Sequence, residues 1–184
     1  MRKLNSLMLA VVFALAAAAC ASGPPKPIKA DEMKDPGLGM IYGQIQLPDP
    51  EWRMNVVMIK IIGKAYVGRH GEKVHVARDG RFVAVNVKPG KYMMDGFIIG
   101  DMRNYLGKSA LNYTVEVKPG GVHYIGSYRY VSLKGGSIVR PGSFDLEQNQ
   151  SKAAHTALLA WVEEATRETK WHSAVKRKLG GLNK

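Results

Sequence analysis

Two hydrophobic periodicities divide the chain: a period of two from residue 39 to 146, and a period near three and a half from 151 onward. Ile41, Gly43, Ile45 and Leu47 alternate with Tyr42, Gln44 and Gln46, which predicts a half-buried strand ended by Pro48-Asp49-Pro50. Residues 55–62 are nearly continuous in β-formers, as a central strand would be. Val74 and Val76 flank His75 in a short strand, and Asp79-Gly80 marks a tight hairpin into residues 82–87. After Pro89-Gly90 comes a strand over 92–99, then a polar loop bearing Asp101, Arg103 and Asn104. Residues 113–117 alternate again, Pro119-Gly120-Gly121 turns them into 122–131, and a weaker strand covers 144–146. Seven or eight short strands between Gly/Pro turns predict a mainly β fold, an antiparallel sandwich over residues 38–147. Side chains alternate along a strand, so Tyr124, Tyr128 and Tyr130 are expected to line one face together with Gly126. That face is either core or a partner-binding stripe of rings.

Residues 148–184 read as a helical tail. Ala154, Leu158, Val162 and Ala165 form one stripe with Trp161 beside it, and Asn149 or Ser151 suits the N-cap. Thr169 suits the cap of a second helix that carries Trp171, Val175 and Leu179 on one face and is expected to stop at Gly180-Gly181. Lys176, Arg177 and Lys178 stand at its C-terminal end, where cations suit the helix dipole. The pair either packs on the sandwich or docks a partner or membrane.

At the other end Arg2 and Lys3 precede an apolar run from Leu7 to Ala19 that closes on Cys20, the single cysteine. These thirteen residues would rise about 20 Å as a helix, short of the roughly 30 Å hydrocarbon core, so they suit an export signal rather than a membrane span. Ala17-Ala18-Ala19-Cys20 resembles the lipobox of bacterial lipoproteins, with Ala17 where that family prefers Leu. The resemblance implies cleavage before Cys20 and acylation of its thiol; ordinary cleavage near Ala19 is the alternative. Several acyl chains, at about 0.8 kcal/mol per buried CH₂, hold a protein to a membrane far better than one. Ala21 follows the cysteine rather than an Asp resembling an inner-membrane retention signal, so in a diderm bacterium the outer membrane, facing the periplasm, is the expected address. Residues 20–37 carry Pro24, Pro25, Pro27 and Pro36 and form a tether that spans up to roughly 50 Å at about 3 Å per residue.

Without residues 1–19 the chain keeps 165 residues, enough for one domain with an appendage. Loss of Arg2 and Lys3 takes the net charge from +12 to +10. Export argues against nucleic acid as the partner. The cell envelope instead offers anionic headgroups, lipopolysaccharide phosphates and cell-wall glycan, although the cations are scattered enough to be merely a solvated surface. With Cys20 acylated, neither a disulfide nor a thiol nucleophile remains.

Val85-Asn86-Val87-Lys88-Pro89-Gly90 recurs as Val115-Glu116-Val117-Lys118-Pro119-Gly120, two equivalent turns of one sandwich. The run from Asp79-Gly80-Arg81-Phe82 to Pro89-Gly90-Lys91-Tyr92 resembles the strand-turn-strand signature of the carboxypeptidase-regulatory-like, or prealbumin-like, β-sandwich. Ile41-Tyr42-Gly43-Gln44-Ile45 is similar to that domain's opening strand. The resemblance covers residues 39–131 and implies a spacer, adaptor or binder of sugar or protein, with Tyr92 a buried ring at the sandwich edge.

Chemistry has little support. No nucleophile elbow, His-Glu-x-x-His or phosphate loop is present. His70, His75, His123, His155 and His172 are dispersed, and Met93 and Met94 alternate on one strand, so with Met102 they suit core filling better than copper. The expectation is therefore a lipid-anchored envelope protein, held by Cys20, that acts as a non-catalytic binding or adaptor module without metal or cofactor. Tyr124, Tyr128, Tyr130, Lys176, Arg177 and Lys178 are its candidate partner-binding residues. The alternative is a structural link that recognises anionic cell-wall glycan or lipopolysaccharide.

Overall fold

A computed structural model describes residues 37–49, 51–63, 74–134 and 143–182. The expected signal peptide, Cys20 and the tether up to residue 36 lie outside the described residues.

Nine strands and two C-terminal helices make up the described chain: β1 Gly39–Gln46, β2 Met54–Ile61, β3 Val74–Val76, β4 Arg81–Val87, β5 Gly90–Ile99, β6 Met102–Tyr105, β7 Thr114–Val117, β8 Val122–Lys134, β9 Ser143–Gln148, α1 Lys152–Ala165 and α2 His172–Leu182. They form two open sheets. One runs β3-β4-β1-β8-β9; the other runs β2-β5-β6, with β7 on the same edge of β5 as β6.

Two details depart from the antiparallel expectation of seven or eight strands. The segment read as a polar loop at 101–104 is β6, an edge strand on which only Asn104 is buried, so no apolar alternation betrays it. And β1 runs parallel to β8. The cause is the turn after Val117, which carries the chain from the β5 sheet into the other, where β8 enters beside the start of β1 and runs the same way.

The Asp79-Gly80 hairpin joins β3 to β4 as expected, with Ala77 N–H bonded to Arg81 O at 2.7 Å. Gly80 has φ +80° and lies against β1: Ile45 N–H donates to Gly80 O at 3.0 Å, and a Cβ at Gly80 would overlap the Ile45 carbonyl. The Asp-Gly pair thus both turns the hairpin and fits it to the neighbouring strand.

Two cores result. Ile41, Ile45, Val57, Ile59, Phe82, Tyr92, Met94 and Phe97 fill the space between the sheets. On the other face of the β1 sheet, Met40, Tyr42, Val83, Val85 and Val122 pack under Leu158, Leu159, Trp161, Val162, Trp171 and Val175. The tail therefore docks on the sandwich, and β1 is buried on both faces rather than half-buried. Burying each such side chain is worth about 1.5–3 kcal/mol. Ser151 Oγ caps α1 by accepting Ala154 N–H at 3.4 Å, and Thr169 Oγ1 accepts Trp171 N–H at 3.1 Å just before α2. Contrary to expectation, α2 continues through Gly180-Gly181 to Leu182.

Candidate functional site

The edges formed by β9 and β6 do not pair, so the sandwich is open along one side, and the 3₁₀ turn Gly107–Asn112 only partly fills the seam. A cleft of about 230 Å³ lies there, lined by Tyr105, Leu106, Ser109, Tyr113 and residues 143–146 of β9. Aromatic rings form its wall and support. Phe144 stacks on Tyr130 at 5.4 Å, Phe97 meets both edge-on, and Tyr113 stands edge-on to Tyr128 at 4.9 Å. Such pairs hold their rings in fixed orientations. Tyr105, 53% exposed, forms the rim.

Asp145 is the one acidic side chain among the described residues that line the cleft. Burial first, and the Asp145 carboxylate second, push the Tyr113 phenol up, so Tyr113 presents a neutral hydroxyl. Asp145 Oδ1 also accepts the N–H of Leu146 at 2.8 Å, which caps an amide on the β9 edge and blunts that edge against strand addition. An apolar wall with one carboxylate and several hydroxyls suits a neutral or cationic group carrying an apolar part.

The residues singled out from sequence fall in different places. Tyr124, Tyr128 and Tyr130 do not share a face. Gly126, at φ +131°, sits in a bulge where the pairing slips from Tyr42↔Tyr124 to Gly43↔Gly126. The extra residue reverses the parity that alternation assumes. Tyr124 consequently faces the helices, while Tyr128 and Tyr130 are inner-core rings only 5% and 7% exposed. Tyr128 Oη donates to Ile125 O at 2.8 Å across the bulge, and burial pushes its phenol up to about 12. Lys176 and Arg177 are exposed on α2. Lys178 is half-buried and donates from Nζ to Val122 O at 2.7 Å, tying the tail to β8.

Under the tail, His155 of α1 stacks on Tyr124 at 4.0 Å and shares a 2.8 Å hydrogen bond with Tyr42 Oη. Burial, and then the nearby Lys178 ammonium, hold its pKa below the ordinary histidine value. Burial also lowers His123, whose Nε2 accepts Lys118 N–H at 2.9 Å.

Met93, Met94 and Met102 do not converge: Met94 is in the inner core, Met93 lies on the other side of β5, and Met102 is exposed on β6. Among the described residues no three His, Cys, Asp or Glu side chains gather as a metal site would need. Tyr105 and Asp145 escape a reading from sequence because Tyr105 sits on the short polar edge strand β6 and Asp145 lies on the polar side of β9, whose apolar face is Phe144 and Leu146. Comparison with protein families, curated proteins and solved structures finds no match to this chain.

Proposed function

We propose that this chain is a lipid-anchored cell-envelope protein, held by acylated Cys20, whose prealbumin-like sandwich is a non-catalytic adaptor binding a partner in the lateral cleft. The anchor rests on the charged start, the apolar run and the small residues before Cys20. The observation that carries the binding role is the cleft itself, with Tyr105 at the rim, Tyr113 and Phe144 in the wall and Asp145 as its charge. A carboxylate there favours a neutral or cationic protein segment over anionic glycan, which is why the adaptor reading stands ahead of the glycan link.

Asp145→Asn keeps an oxygen to cap Leu146 and removes the charge, while Tyr105→Ser strips the rim. With cross-linking in intact cells, the parent should capture a defined envelope protein that both variants lose at unchanged melting temperature. Salt-sensitive sedimentation with purified peptidoglycan, indifferent to both substitutions, would instead establish the glycan link. Mass spectrometry of the mature N-terminal peptide tests the anchor separately; a Cys20 without acyl chains would remove it.

A further inference from the structure

The two echoed Lys-Pro-Gly turns lie at one end of the sandwich. Gly39 pairs with Val87, Gly90 with Val117, and Met40 with Val122, so the turn after β4, the turn after β7 and the start of β1 share a pole. Met40 N–H bonds Gly121 O and Gly120 N–H bonds Leu38 O, both at 2.9 Å, which ties the incoming chain to the second turn. The bond from Lys178 to Val122 O brings the C-terminal half of α2 to the same pole. Lys88, Lys91, Lys118, Lys176 and Arg177 are exposed there. Glu116, opposite Lys91 across β5 and β7, is the acidic residue these segments contribute. Ile62, 36% exposed, stands at the rim through its N–H bond to Lys91 O. Cations scattered in sequence are thus concentrated by topology at the point where residue 37 leads back toward Cys20.

We propose that this basic pole is a docking surface for a phosphate-bearing anionic bilayer, seating the sandwich on the membrane rather than leaving it at the end of its tether. The choice of bilayer over other polyanions rests on the anchoring proposed above, which brings this pole to the headgroups first; the charge cluster does not depend on it. Each basic residue held near an anionic bilayer strengthens association about fivefold, and salt screens the effect. Ile62 adds an apolar contact at headgroup depth.

The test is amine-reactive labelling of the full-length protein reconstituted in phosphatidylcholine vesicles with or without phosphatidylglycerol, read lysine by lysine by mass spectrometry. Lys170, exposed just before α2, is the internal control: Arg81, at the end of β4 opposite Val87, lies over the Trp161 ring, which places that end of the tail away from the pole. With phosphatidylglycerol, Lys88, Lys91, Lys118 and Lys176 should lose labelling several-fold and regain it in about 0.5 M salt, with Lys170 unchanged. Lys88→Glu combined with Lys118→Glu should abolish the protection of Lys176 at unchanged melting temperature. Equal labelling in both lipids, equal protection of Lys170, or protection by soluble anionic glycan but not by the bilayer would each overturn the proposal. Because the neutral vesicles carry the same anchor, a failed acylation shows in the N-terminal peptide and leaves the charge comparison readable.

Discussion

Gly80 and Gly63 form a matched pair in which the same backbone conformation meets different surroundings. Their φ angles are +80° and +81°. Around Gly63 a new Cβ would meet nothing within 4 Å, whereas at Gly80 it would overlap the Ile45 carbonyl. Alanine at either position incurs the left-handed cost of about 1–2 kcal/mol. At Gly80 the hairpin must also retreat from β1. That breaks the 3.0 Å bond from Ile45 N–H to Gly80 O and leaves a donor of a fully buried residue unpaired, which costs about 1–3 kcal/mol more. Gly63→Ala should therefore destabilise by about 1–2 kcal/mol and Gly80→Ala by about 2–5 kcal/mol. Urea unfolding followed by tryptophan fluorescence measures both, provided the m-values agree. Trp161 and Trp171 of the tail are buried against the β1 sheet, so their signal reports the docked state. Equal losses at the two glycines would refute the argument that the Asp-Gly pair is fitted to β1 as well as to its own turn.

Leu158→Ala should cost about 2–5 kcal/mol, because the side chain is 1% exposed between α1 and the β1 sheet; a loss under about 1 kcal/mol in the same unfolding assay would mean the tail is not seated there. His123 and His155 both have folded pKa values below the ordinary 6.5, so their neutral forms favour the fold. Their contribution is complete above about pH 6.5 and is lost as pH falls through the folded values; stability should fall on that side, and the double variant His123→Gln/His155→Gln should flatten the profile. Lys178→Met removes the second cause of the His155 shift while burial remains, so an NMR titration should place His155 higher than in the parent; an unchanged or lower value would sink that assignment.

The existence and sequence position of most strands were legible because one face of each is apolar and Gly or Pro closes each end. Their neighbours were not. Nothing in the alternation of Ile41, Ile45 and Leu47 says that β1 pairs in parallel with β8, since that follows from where the turn after Val117 sends the chain. The tyrosine face failed for a different reason. Period-two reasoning has no place for an inserted residue, and the glycine at position 126 was counted as a member of the face when it marks the bulge. The cleft is built from edges, where Tyr105 and Asp145 have no repeating partners, so it emerges only when two sheets are placed together.

The arrangement would also let the proposed anchoring and the proposed binding coexist. β1 is central in its sheet and begins at the basic pole, so a chain arriving from Cys20 would meet the sandwich end-on. The cleft opens sideways between β9 and β6, and its outermost residues on β9, Ser143 and Phe144, pair with Lys134 and Ser132 at the end of β8 remote from that pole. The tail covers the outer face of the β1 sheet and brings Lys176 and Arg177 to the pole while leaving the seam clear. A bilayer held at the pole would therefore not occlude the cleft. The two sites also have opposite electrostatic character, with cations at the pole and the Asp145 carboxylate at the seam. A cationic partner segment would be repelled by the basic end and drawn to the side, so charge alone would direct a bilayer and a partner to different surfaces of one small sandwich.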